Sequence, residues 1–231
     1  MKASQISVTA ARISMAAIIT YQLVLMVLLF IRPDLDPYWH TISEWAIGPY
    51  GWIMSLGFML SSLSYASLFV TLKSQVRGVD GVIGLGILLI CVAGAFGVGV
   101  FTTDPLTTPQ DQISTGGMIH MICGASQLML LPFAALLISL NIAFKNPLWA
   151  PVKKIIIWSA GIPWIGYTYF MVHLIVIVMP LGENAYGPEV PLGWPPRFLF
   201  FTYMIWVVIV ANQAINVNKS SAINNYITNA T

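Results

Sequence analysis

Residues 82–101 read VIGLGILLICVAGAFGVGVF, twenty consecutive positions without a charged side chain. An α-helix needs about 20 apolar residues to cross the hydrocarbon core of a bilayer, so this stretch predicts a transmembrane helix. Five other stretches are similarly apolar, and all but the last of them reach this length. The sequence therefore predicts an all-α polytopic membrane protein, a six-transmembrane-helix bundle with spans at Val8–Ile31, Gly51–Leu72, Val82–Phe101, Gly116–Ile142, Ile155–Met179 and Phe198–Ala211.

The composition of the whole chain supports this fold class. Hydrophobic residues make up 58% and charged residues 8% of the sequence, whereas a soluble domain carries about 25% charged residues. The basic residues are scattered over the predicted loops, so we expect no nucleic-acid partner. The expected partners are the lipid bilayer, a small-molecule or lipid ligand, and another membrane protein. We expect one domain over residues 1–216 and a polar, disordered cytoplasmic tail over residues 217–231, which are rich in Asn, Ser and Thr.

The distribution of charge predicts the orientation. If both termini are cytoplasmic, eight of the ten basic residues lie on the cytoplasmic side, as the positive-inside rule requires. Every acidic residue except Asp80 then lies in an outer loop. The first span is longer than a signal-peptide core and continues into Arg32-Pro33-Asp34 instead of a cleavage site, so we expect it to stay in the mature protein. The absence of a targeting segment favours the plasma membrane of a prokaryote.

All three histidines fall near the outer ends of the predicted spans. His40 lies in the first outer loop, and His120 and His173 lie within about two turns of the outer ends of the fourth and fifth spans. Ionisable side chains at membrane depth are costly and face the interior of a bundle. Tyr169 shares a helix face with His173, and Asp104 precedes the fourth span. The predicted outward-facing polar cluster comprises His40, Ser43, Glu44, Asp104, His120, Tyr169 and His173.

Each of these features also has a purely structural interpretation. Thr41-Ile42-Ser43-Glu44 is a capping-box pattern that can start a short helix without a ligand, and Asp104 before Pro105 is typical of a turn. The candidate metal ligands are His40, His120, His173 and Asp104. Neither an H-x3-H nor an H-E-x-x-H motif occurs, however, which weakens the case for a metal.

The two cysteines, Cys91 and Cys123, lie at mid-membrane on consecutive spans without C-x-x-C spacing. Buried thiols of this kind are usually inert. We expect two unpaired residues, while a disulfide between them stays open because it depends on how the third and fourth helices pack.

Three segments carry a family resemblance: HTISEWAIGPYG at 40–51, GVGVFTTDP at 97–105 and STGGMIH at 114–120. The chain resembles, over nearly its full length, the bacterial and archaeal membrane family catalogued as domain of unknown function 998. This resemblance implies a fold of about six helices and no established activity. The positions that it carries over are His40, Ser43, Glu44, Asp104, Pro105 and His120.

Three hypotheses about function follow. The first is a small-ligand or lipid-interacting protein of the transporter or sensor kind, with a polar pocket that opens outward between the third, fourth and fifth helices. The second is a structural or assembly subunit whose small-residue faces pack against partner helices. The third is a metal-dependent intramembrane hydrolase of lipid head groups, with Glu44 as general base. The sequence favours the first and implies no particular cofactor.

Overall fold

The structure is a computed structural model that describes residues 6–184 and 186–230. Its six α-helices are α1 (Val8–Ile31), α2 (Gly51–Leu72), α3 (Gly78–Val100), α4 (Thr115–Lys145), α5 (Lys153–His173) and α6 (Trp194–Ala230). These described ranges contain no β-strand. Six helical segments are long and apolar enough to cross a membrane. The predicted fold class is therefore confirmed, and the chain is a multi-pass membrane protein.

The connections between helices gather at two ends of the bundle. The connections 32–50, 101–114 and 179–193 form what we call the long-loop end. The connections 73–77 and 146–152 form what we call the terminal end, together with the start of α1 and the end of α6. A 3-10 helix, Ile42–Ala46, lies in the first long loop. The helix α5 continues as a π-helical segment, Leu174–Val178, before it leaves the bundle.

The six helices form a closed ring. Each packs on the next in the chain, and α1 packs on α6. Lipid is as apolar as a protein core, so close packing and interhelical hydrogen bonds must hold such a bundle together. Two examples are the buried indole of Trp206, which donates to Ser139 Oγ at 3.0 Å, and Tyr203, which donates to the carbonyl of Leu128 at 2.6 Å.

The helices α3 and α4 pack closely together at Gly97. A Cβ atom on Gly97 would collide with Cys123 Sγ, so only glycine permits this approach. Both cysteines are free, and Cys91 is buried. The disulfide that the sequence left open is therefore not formed in this structure.

A hydrogen-bonded network at the terminal end joins α3, α4 and the α2–α3 connection. Asn141 is buried and donates to the Arg77 carbonyl at 2.6 Å and to Asp80 Oδ2 at 2.8 Å, while its Oδ1 accepts from the Arg77 amide at 2.8 Å. Lys145 pairs with Asp80 Oδ1 at 2.5 Å. This network neutralises Asp80, the one acidic residue that the charge pattern placed away from the others.

A second buried network lies beside it. Asn146 Nδ2 donates to the Gln75 carbonyl at 2.8 Å, and Trp149 Nε1 donates to Gln75 Oε1 at 3.3 Å. All three residues are buried. Together the two networks fasten the α2–α3 connection to α4 and to the α4–α5 connection.

Several helix ends differ from the sequence prediction. The helix α3 begins at Gly78 and not at Val82, and α6 runs from Trp194 to Ala230 and not from Phe198 to Ala211. Residues 217–230, predicted to be disordered, are helical in the structure. An apolar run marks the part of a helix that lies in lipid, but each further residue still adds a backbone hydrogen bond and extends the helix into polar sequence. Lys2 and Thr231 lie outside the described residues.

Candidate functional site

His120 joins α4 to the first long loop. Its Nε2 lies 2.7 Å from Ser43 Oγ and its Nδ1 lies 2.7 Å from the carbonyl oxygen of Phe101. A carbonyl oxygen only accepts, so the neutral imidazole carries its proton on Nδ1 and leaves Nε2 to accept from the Ser43 hydroxyl. The His120 side chain is 3% exposed, and its ring packs edge-on against Phe58. The ring is thus held at both nitrogens and on one face.

Glu44 anchors the 3-10 helix that carries Ser43. Its Oε2 accepts from the amide of Thr41 at 3.0 Å, which completes the capping box that the sequence predicted. Its Oε1 accepts from the amide of Leu106 at 3.0 Å, a contact to the second long loop that the sequence did not predict. Glu44 is 6% exposed. One buried carboxylate therefore holds two long loops together.

Asp104 binds Ser114, the residue that caps the start of α4. Its Oδ2 accepts from the Ser114 amide at 2.8 Å and from the Ser114 hydroxyl at 3.0 Å, and Ser114 Oγ in turn accepts from the amide of Gly117. A Cβ atom on Gly117 would collide with the Asp104 carboxylate. Glycine at position 117 thus permits the close approach of the second long loop to the first turn of α4.

Arg197, in the first turn of α6, lies beside the first long loop. Its Nη1 donates to the carbonyls of His40 at 3.1 Å and Gly193 at 2.6 Å. Its guanidinium lies over the Trp45 ring, 4.2 Å from the centroid, and 5.9 Å from the centroid of Trp194. Cation–π contacts of this kind stabilise a partly desolvated cation.

The two arginines at the long-loop end differ in their partners. Arg32 is buried, pairs with Asp34 at 2.7 Å and donates to two backbone carbonyls of the first long loop. That hydrogen-bonded guanidinium lowers the pKa of Asp34 below its ordinary value. Arg197 has no carboxylate within 4 Å among the described residues, and its Nε and Nη2 make no hydrogen bond to them. The charge of Glu44 acts on Arg197 only from beyond ion-pair distance.

A family model described as "Protein of unknown function (DUF998)" matches residues 15–213. The chain belongs to the DUF998 family. The match extends from α1 into α6 and confirms the resemblance predicted from the motif segments. No curated protein and no solved structure matches this DUF998 chain.

Two predicted site residues lie elsewhere in the DUF998 structure. Tyr169 and His173, on α5, contact each other with ring centroids 6.4 Å apart, and Tyr169 contacts Phe198 of α6 edge-on. His173 Nε2 is buried without a hydrogen-bond partner among the described residues. Among the described residues, neither side chain makes a hydrogen bond or ring contact with His120, whose hydrogen-bond partners are Ser43 and Phe101.

The candidate metal ligands do not form a cluster. His120 has both ring nitrogens engaged by Ser43 and Phe101, and the Asp104 Oδ2 oxygen is bound to Ser114. Among the described residues of this DUF998 protein, no three His, Cys, Asp or Glu side chains are placed to hold a metal ion together. Within the described part of the chain, only Ser43 and His120 of the predicted polar cluster are hydrogen-bonded to each other. Glu44 and Asp104 bind other groups of the long loops and of the start of α4, and the His40 carbonyl binds Arg197.

The main residue that the sequence prediction missed is Arg197. It is one of only two basic residues among the predicted outer segments of the DUF998 chain, which otherwise carry acidic residues. A basic residue that departs from the positive-inside pattern was the available signal.

Proposed function

We propose that this DUF998 protein is a small-ligand or lipid-interacting membrane protein that binds a phosphate group at its long-loop end, with Arg197 as the cationic contact. The phosphate belongs either to the head group of an anionic lipid or to a free anion. The observation that carries the proposal is the half-buried guanidinium of Arg197, which has no acidic partner among the described residues. Binding at one face of the bundle is the first step of either transport or sensing.

The chemistry of Arg197 suits this ligand. A guanidinium has five N–H donors, and Nη1 uses two of them on backbone carbonyls. The Nε and Nη2 donors that remain form one side of the planar fork that binds phosphate with two parallel hydrogen bonds. A partly buried charge without a counterion is costly, so an anion that supplied the missing charge would stabilise the folded protein.

The neighbouring tryptophans support a ligand from the membrane surface. Trp45 is 2% exposed, whereas Trp194 is 47% exposed beside the guanidinium. Tryptophan is enriched where lipid head groups meet the hydrocarbon core, because its ring is apolar and its N–H is polar. Arg197 lies between one buried and one exposed indole, a setting that fits a lipid head group better than a fully aqueous anion.

The orientation belongs to the same proposal. Both termini are placed in the cytoplasm of a prokaryote and the long-loop end on the outer side of its plasma membrane, because the basic residues collect at the terminal end. Alkaline phosphatase is active only in an oxidising compartment, where its disulfides form. A fusion after Thr231 should be inactive and a fusion in the second long loop active; the reverse pattern contradicts the orientation.

Ligand binding is tested with the full chain in nanodiscs. Wild type, Arg197→Gln and the control Arg12→Gln, which removes an exposed charge at the terminal end, are each melted with increasing phosphatidylglycerol, phosphatidylcholine or inorganic phosphate. A ligand that binds only the folded state raises the melting temperature as its concentration rises above Kd.

We expect phosphatidylglycerol to stabilise wild type and Arg12→Gln but not Arg197→Gln. Stabilisation by inorganic phosphate alone identifies a free anion as the ligand. An equal shift in Arg197→Gln and wild type, or no shift with either phosphate source, contradicts the proposal.

A further inference from the structure

We infer that Ser43 and His120 form a nucleophile–base pair that transfers the acyl group of a lipid ester. The inference takes its substrate, an anionic glycerolipid, from the proposed function. The pair itself is argued from its own geometry. It requires a serine that can attack, a histidine that can accept the proton, and a third group that orients the histidine.

The distances meet these requirements. Ser43 Oγ lies 2.7 Å from His120 Nε2, within the 2.6–3.2 Å reach of a nucleophile and its base. The carbonyl of Phe101 accepts from Nδ1 at 2.7 Å and so fixes the tautomer with Nε2 free to take a proton. The carbonyl occupies the orienting place that a carboxylate takes in the Ser-His-Asp arrangement.

Ser43 and His120 differ in solvent exposure, as a surface nucleophile and a shielded base require. Ser43 is partly exposed, while His120 is almost fully buried and packs against the ring of Phe58. A substrate carbonyl can therefore approach the hydroxyl from the surface, while the base is shielded from bulk water. A serine that served only to satisfy a buried histidine would not need to be accessible.

Glu44 acts as a positioning residue for the pair. Its carboxylate binds the amide of Thr41, at the start of the 3-10 helix that carries Ser43, and the amide of Leu106, in the loop that follows Phe101. Both the nucleophile and the orienting carbonyl are thus held by segments that Glu44 joins. A misplacement of about 1 Å in such a site can cost 100-fold in rate.

The reaction balances with water as the only co-substrate. Ser43 Oγ attacks the ester carbonyl carbon, and the hydroxyl proton passes to His120 Nε2. The C–O bond to the glycerol oxygen breaks, the alcohol leaves with the proton from Nε2, and the acyl group stays on Ser43. Water then attacks this ester and gives a proton to Nε2, which returns it to Ser43 Oγ as the free fatty acid leaves.

The position of Arg197 indicates that the substrate is an anionic glycerolipid. Its guanidinium lies on the ring of Trp45, two residues after Ser43 in the chain, so a phosphate bound there places the glycerol esters beside the same 3-10 helix.

The test is covalent labelling of the full-length protein in nanodiscs with a fluorophosphonate, which reacts with activated serines. We expect wild type to be labelled on the peptide that contains Ser43, and Ser43→Ala to be unlabelled. The control Ser55→Ala removes another partly buried serine, on α2, and should be labelled at the wild-type rate. His120→Ala should be labelled at least about 100-fold more slowly, since general-base catalysis contributes about 100- to 10,000-fold.

Two further measurements test the pair, and the first of them uses only wild-type protein, so it does not depend on the folding of a His120 variant. Labelling of wild type should fall in acid, because a protonated imidazole cannot accept the Ser43 proton. Ser43→Cys should react with chloroacetamide faster than the native thiols, and the addition of His120→Asn should remove this advantage. Wild-type protein that melts cooperatively but shows no labelling at Ser43, or labelling that does not change with pH, overturns the inference.

The same samples separate this inference from the proposed function. The fluorophosphonate is small and needs no head-group contact, whereas the thermal shift with phosphatidylglycerol needs no nucleophile. A normal shift without labelling overturns the nucleophile–base pair alone. Labelling without a shift contradicts phosphate binding alone.

Discussion

Glu44→Ala should release the second long loop from the first. The substitution removes the carboxylate that accepts from the amides of Thr41 and Leu106, each at 3.0 Å. Hydrogen bonds to charged groups contribute about 1.5–3 kcal/mol each. Leu106 is only partly buried, so water can replace part of what is lost there. We therefore take the lower figure for each bond and expect a loss of about 3 kcal/mol in the free energy of unfolding.

Hydrogen exchange of the Leu106 amide measures the part of this loss that comes from the bond to the second long loop. About 1.5 kcal/mol at Leu106 corresponds to roughly tenfold faster exchange of its amide. Glu44→Gln keeps one acceptor oxygen but turns an NH2 group toward the other amide, so we expect it to lose about half as much stability as Glu44→Ala. The control Glu189→Ala removes an exposed carboxylate from the third long loop and should leave exchange at Leu106 unchanged. If Leu106 exchanges equally in Glu44→Ala and wild type, the loops are not joined through Glu44.

Three other perturbations test the packing of the bundle. Asn141→Ala should lower the free energy of unfolding by about 3 kcal/mol, since it removes three buried hydrogen bonds, whereas exposed Asn216→Ala should change it by less than about 0.5 kcal/mol in the same denaturation assay. Gly97→Ala should lower the free energy of unfolding by about 1–3 kcal/mol, because its Cβ would push α3 away from α4. Gly86→Ala has open space around its Cβ and should be neutral or stabilise the helix. Equal melting temperatures for the two variants would refute this packing. The pKa of Asp34 is lowered in the folded state, so its ion pair with Arg32 stabilises the protein above the unfolded pKa of about 3.9 and loses this effect as pH falls below it. The difference in melting temperature between wild type and Asp34→Asn should therefore be constant above about pH 5 and shrink below about pH 4.

The sequence predicted the number and order of the helices because lipid imposes one strong requirement, a long apolar run, and this requirement is visible in composition alone. The ranges of α1 and α2 agree with the prediction, since turn residues or charges bound both runs closely. The end of α6 could not be predicted in the same way, because nothing in the polar sequence after Ala211 forbids a helix and only the apolar signal ends there.

The candidate site was predictable in part for a different reason. His120, Ser43, Glu44 and Asp104 all lie at the long-loop end because the topology brings their segments to that end of the bundle. The topology could not show which atoms would pair, and so it did not distinguish a metal site from a hydrogen-bonded serine and histidine. The partners of the buried Asn141 amide could not be predicted, since a polar residue within a span is expected to face the interior but the sequence does not show which groups it meets there.

The length of α4 has a consequence for where Ser43 and His120 sit in a membrane. Its 31 residues extend about 47 Å at 1.5 Å per residue, while the hydrocarbon core is about 30 Å thick. An upright helix thus projects about 8 Å beyond the core at each end, roughly five or six residues. His120 is the sixth residue of α4, which puts it at the boundary where acyl chains give way to ester carbonyls and water. A change of only a few ångströms in bilayer thickness, met by tilt or by local stretching of the lipids, therefore decides whether the Ser43 hydroxyl meets water or hydrocarbon.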